Sequence, residues 1–72
     1  MIRMFLTERS RVAATSGRHE KSDHPTVDDA KATFARHPNR QNLEAYIYVD
    51  GAGAWVGECN DSGGIEWRPW NL

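Results

Sequence analysis

The chain has 72 residues, 39% hydrophobic and 26% charged, with a formal net charge of -1. That length holds one domain at most, and a single cysteine, Cys59, excludes an internal disulfide. No segment approaches the length of a membrane span, and the apolar run at Met1 to Leu6 is too short for a signal-peptide core and is followed by Glu8.

The expected location is therefore the cytoplasm, and the sequon Asn60-Asp61-Ser62 is expected to go unused. A chain this short buries only about 60% of the surface it exposes when unfolded. With no cross-link to offset that, self-association as a homodimer or a stable protein partner is the expected aid.

Residues 2–8 alternate, with Ile2, Met4 and Leu6 on one side and Arg3, Phe5 and Thr7 on the other, which predicts a strand. A helix is the alternative, since Ile2, Phe5, Leu6 and Val12 also fit a helical stripe. Residues 9–25 are rich in Ser, Gly and charge and carry no sustained period, so they are expected to form a flexible loop or arm. Residues 26–37 predict a helix. Thr26 is a good N-cap, Asp28 and Asp29 suit the positive end of the helix dipole, and Val27, Ala30 and Phe34 form a narrow apolar stripe. Pro38 ends the element by disfavouring helical backbone at His37.

Residues 42–49 read as the clearest strand, burying Leu43, Ala45, Ile47 and Val49. Asp50-Gly51 signals a tight type I′ hairpin, and Gly53 allows a longer loop. Either choice sets Ile47 opposite an apolar residue, Ala54 or Val56. A second turn, Asn60 to Gly64, precedes the last strand. Pairing Val56 with Trp67 would put Ala54, Val56, Ile65 and Trp67 on the core face. Trp55, Glu66, Arg68 and Trp70 would then join Tyr46 and Tyr48 on the other. Pro69 cannot donate to a ladder, which marks the last strand as an edge. The expected fold is α+β in the order β-α-β-β-β, with one helix packed on a three- to four-stranded, mainly antiparallel sheet. Residues 1–72 form a single small domain.

One helix covers one sheet face, so the other should be polar. Here it is expected to carry Tyr46, Tyr48, Trp55, Arg68 and Trp70, with a cation–π contact between Trp55 and Arg68. Aromatic side chains favour strands for their own packing. Tyr, Trp and Arg are also the residues that dominate binding hot spots, and these five are the candidate partner-binding residues.

Charge is uneven along the chain. Residues 1–40 hold eight Lys/Arg against five acids, and residues 41–72 hold only Arg68 against Glu44, Asp50, Glu58, Asp61 and Glu66. Arg3, Arg9, Arg11 and Arg18 form a candidate phosphate-binding arm, whereas the aromatic face lies on the acidic half, which repels nucleic acid. His19, His24, His37 and Cys59 match no zinc-site spacing, so no metal or other cofactor is expected. His19-Glu20 and His37 with Arg36 or Arg40 could serve general acid–base cleavage, but no specific spacing gathers them.

The expected function is a non-enzymatic protein-interaction module, an inhibitor or accessory subunit of a nucleic-acid-handling complex of the size found on phage and other mobile elements. Nucleic-acid binding through the arginine arm and a small endoribonuclease-like toxin are the alternatives.

Overall fold

The computed structural model describes residues 1–8 and 19–70. Its elements are β1 (Ile2–Glu8), β2 (His19–His24), α1 (Val27–Ala35), a 3-10 turn (Arg40–Asn42), β3 (Leu43–Val49), β4 (Ala52–Cys59) and β5 (Ile65–Pro69). The strands form one five-stranded sheet in the order β2-β1-β3-β4-β5, antiparallel throughout. The class is α+β, as the sequence implies, with one strand more than expected. β1 lies between β2 and β3, and α1 crosses over it to connect them.

The extra strand falls within the segment expected to be a loop. Residues 19–24, HEKSDH, pair with β1 from Ile2↔His24 to Thr7↔His19. This edge strand carries no apolar stripe, so hydrophobic periodicity cannot reveal it. The rest of the expected loop that precedes it, residues 9–18, lies outside the described residues.

Helix α1 begins where its chemistry dictates and ends at Ala35, two residues before His37. The Thr26 side chain accepts a hydrogen bond from the Asp29 N–H at 3.0 Å, and Asp28 and Asp29 occupy the first turn. Ala30 and Phe34 project onto the sheet and are fully buried. They meet Met4 and Leu6 of β1 and Leu43, Ala45 and Ile47 of β3, the alternate residues read from the sequence as one face. Ile2, Val27, Trp55, Ile65 and Trp67 pack around that core.

The β3–β4 turn corrects the face assignment of β4. Asp50 and Gly51 both adopt positive φ, 52° and 87°, as the tight type I′ turn requires. Tyr48 then pairs with Gly53 but Ile47 with Trp55, so Ala54 is the extra residue of a β-bulge. A one-residue shift exchanges the two faces of a strand. Trp55 therefore lies on the helix side, not with Tyr46 and Tyr48, and Val56 lies on the other. Trp67 pairs with Gly57 and not with Val56, while Trp55 sits opposite Pro69.

The lattice of contacts under α1 follows from this register. Trp67 meets Phe34 edge-on, with centroids 5.8 Å apart. Its ring lies directly over Gly57, where a Cβ would come within 2.5 Å of it. The expected Trp55–Arg68 cation–π contact is absent, because the bulge puts the two side chains on opposite faces. The cation over Trp55 is Lys31 of α1, whose Nζ stands 4.1 Å from the ring centroid.

Candidate functional site

The face turned away from α1 can be read as a grid of cross-strand rows. One row runs Lys21, Phe5, Tyr46, Val56 and Arg68 from β2 to β5. The next, toward the β3–β4 turn, holds Asp23, Arg3, Tyr48 and Gly53. On the other side lies a row of Thr7, Glu44, Glu58 and Glu66. Three carboxylates thus stand opposite one another on three adjacent strands, an arrangement that is destabilising by itself.

Aromatic rings fill the centre of this grid. After Pro69 the chain stays on β4, with the Trp70 N–H donating to the Ala54 carbonyl at 3.0 Å. The bulge residue thus anchors the segment that carries Trp70. The Trp70 ring rests on Gly53, where a Cβ would meet it at 2.9 Å. It contacts Tyr46 and Tyr48 at centroid distances of 5.0 and 5.1 Å, with interplanar angles of 66° and 76°. Phe5 extends the cluster through Tyr48 at 5.4 Å and 77°. These are edge-to-face geometries of the kind aromatic quadrupoles favour. All four rings are half-buried, and α1 packs on the other side of the sheet.

Two shallow depressions open between the rings. One, of about 420 Å³, is lined by Phe5, Thr7, Tyr46, Tyr48 and Trp70. The other, of about 330 Å³, is lined by Met1, Arg3, Phe5, Tyr48, Asp50 and Gly51. Burial raises the Tyr46 hydroxyl pKa above its usual value, and neighbouring Glu44, to which it donates at 3.5 Å, adds to the rise. At the turn, the terminal ammonium of Met1 lies 2.6 Å from Asp50 and lowers that carboxyl's pKa.

Of the five candidate partner-binding residues, Tyr46, Tyr48 and Trp70 come together. Arg68 shares their face at its margin, opposite Val56 and 3.8 Å from Glu58. Trp55 does not belong to the cluster. Phe5, which does, was not among the candidates. Its own alternation pointed to this face, but the β1–β3 pairing that places it beside Tyr46 was not legible. Of the candidate phosphate-binding arginines, Arg3 lies on this same face and is bound to Asp23 at 2.9 Å. Arg9, Arg11 and Arg18 lie outside the described residues.

A second constellation ties α1 to β2. His24 Nδ1 lies 2.8 Å from Asp29, and its Nε2 lies 2.7 Å from the Ser22 hydroxyl. The Asp29 carboxylate only accepts, so Nδ1 carries a proton, and in the neutral ring Nε2 accepts from the Ser22 hydroxyl. This is the bonding order of a nucleophile, a base and an orienting acid. The imidazole is only 7% exposed, however, and lies against the first turn of the helix. At the other end of α1, Asn39 N–H donates to His37 Nδ1 at 3.0 Å, leaving Nε2–H to donate to Glu20 at 3.1 Å. Two histidine–carboxylate contacts thus clamp both ends of the helix to a strand without apolar anchors. Among the described residues, no group of three or more His, Cys, Asp and Glu is arranged to hold a metal ion. No described helix is long and apolar enough to cross a membrane. Comparison with protein-family models, with curated proteins and with solved structures finds no match for this chain.

Proposed function

We propose that this chain is a protein-interaction module that binds a basic surface of a partner protein through the face bearing Phe5, Tyr46, Tyr48 and Trp70. The observation that carries this reading is a half-buried aromatic cluster flush against the carboxylate row Glu44, Glu58 and Glu66. Aromatic anchors supply contact area with little side-chain entropy to lose. The acids favour a cationic partner and steer its approach. A positively charged groove, such as a nucleic-acid-handling machine presents, is complementary to such a face, and the chain would then act as its inhibitor or accessory subunit.

The test compares capture by the native chain with capture by Tyr48→Ala and by Asp28→Ala, a change on the exposed side of α1. Affinity purification from the source cells with mass spectrometry reads the partner. Light scattering detects a second copy, and absorbance at 260 nm with a salt titration detects nucleic acid, whose binding falls steeply with salt. The expected result is a basic protein retained by Asp28→Ala and lost by Tyr48→Ala. Equal capture by both variants would overturn the reading.

A further inference from the structure

We infer that the depression between Phe5, Thr7, Tyr46, Tyr48 and Trp70 is a seat for an ammonium group, carried by a lysine side chain of the docking partner. This inference rests on the docking role proposed above and adds the chemistry of its central contact. Three observations converge on it.

The rings meet at steep angles. Trp70 stands at 66° to Tyr46 and 76° to Tyr48, and Phe5 at 77° to Tyr48. Rings set at such angles can turn their faces toward one point from more than one side, an arrangement that suits a compact cation. A flat guanidinium gains most from lying parallel to a single ring. The depression, about 420 Å³, lies in the size range of small-ligand sites.

The rim supplies the counter-charge. Glu44 follows Thr7 in the cross-strand row and accepts from the Tyr46 hydroxyl at 3.5 Å. Glu58 and Glu66 continue that row across β4 and β5. Arg68 stands 3.8 Å from Glu58 and Asn60 donates to Glu66 at 3.3 Å, so Glu44, beside Tyr46, is the rim carboxylate whose charge a bound cation would balance.

Two of the cations on this face are paired with carboxylates, and Lys21 stands opposite Phe5 at its far edge. Arg3 is held by Asp23 at 2.9 Å, Arg68 stands 3.8 Å from Glu58, and Lys31 lies over Trp55 on the opposite face. None of them is placed over Tyr46, Tyr48 or Trp70.

The three tryptophans allow a direct test. Trp70 lies on the open face, while Trp55 and Trp67 lie under α1 and report only global change. The native chain, labelled with nitrogen-15, is titrated with the N-acetyl amides of lysine, Nε-trimethyllysine, arginine and norleucine, and the indole N–H signals are followed. The lysine and trimethyllysine probes should move the Trp70 signal and leave those of Trp55 and Trp67 in place. Norleucine, the uncharged counterpart, should bind at least about ten-fold more weakly. Glu44→Gln, which relieves repulsion and so keeps the fold, should weaken the lysine probe several-fold.

Norleucine binding as well as lysine would overturn the ammonium seat and leave an apolar docking face. Arginine binding more tightly than both ammonium probes would overturn it in favour of a stacking slot. No movement of Trp70 with any probe, with partner capture still dependent on Tyr48, would refute the seat while the docking role stands. Capture independent of Tyr48 would remove the docking role itself.

Discussion

The two faces of this sheet use the same device for opposite ends. On each, a tryptophan of the C-terminal segment lies flat on a glycine of β4: Trp67 on Gly57 under the helix, and Trp70 on Gly53 on the open side. Under the helix, Phe34 and Lys31 close over the rings. On the open side the rings pack on one another with no helix above them, and Glu44, Arg3 and Arg68 border them. What separates core from candidate surface is thus the layer above the ring, not the residue or the glycine beneath it. The same substitution made on the two faces should therefore have very different effects.

The largest effect is expected at Trp67. Trp67→Ala removes a ring from the helix side and should cost about 3–5 kcal/mol, a large share of the 5–15 kcal/mol typical of a whole domain. Gly57→Ala should approach it from beneath by forcing the ring off its seat, at about 1–3 kcal/mol. Thermal or urea unfolding measures both. If Gly57→Ala melts like the native chain, the close contact of Trp67 with Gly57 does not constrain the core.

The clamps on α1 come next. His24→Ala removes two hydrogen bonds from a buried ring and should lower stability by about 1–3 kcal/mol. Amide exchange should quicken in the first turn of α1 and along β2 more than in β3. Uniform loss of protection would show that the clamp acts on the whole domain and not on the edge.

Much of this arrangement was legible in the chain, and the failures have identifiable physical causes. Met4 and Leu6, Leu43 to Ile47, and the Thr26 cap follow simple periods and local chemistry, so β1, β3 and α1 stand where expected. β2 carries no such signal, because Glu20, Ser22 and His24 face the helix side through hydrogen bonds rather than apolar packing, and hydrophobic periodicity is blind to those. Tyr46, Tyr48 and Trp70 were correctly placed together. Alternation puts Trp55 on the open face with either the tight or the longer turn, and fails there because a bulge is set by local backbone geometry that alternation does not encode.

Trp70→Ala should cost the isolated chain only about 1 kcal/mol, the scale of a cross-strand contact, yet abolish capture of the partner. Its contrast with Trp67→Ala is the sharpest test of the two-face comparison. Equal destabilisation by the two changes would make the open cluster a second core.

The smallest effect is a matter of titration. Folding raises the Tyr46 pKa, so the folded state holds that proton more tightly than the unfolded chain does. The corresponding stability is present below the ordinary tyrosine pKa and is lost as pH rises through the folded value. Absorbance at 295 nm should show one tyrosine ionising later than in a model peptide, and Glu44→Gln should bring it earlier. A Tyr46 that titrates like a free tyrosine would mean that its hydroxyl is fully solvated.

Ala54 carries a last consequence. A residue absorbed into a bulge is a silent insertion: β4 could be one residue shorter and still set Trp55 opposite Ile47 and Gly57 opposite Trp67. The carbonyl that receives the Trp70 N–H is what the shorter strand would lack. Deleting Ala54 should then leave the helix side intact and release Trp70 from the open one, so that a change in chain length, with no ring altered, would separate folding from recognition.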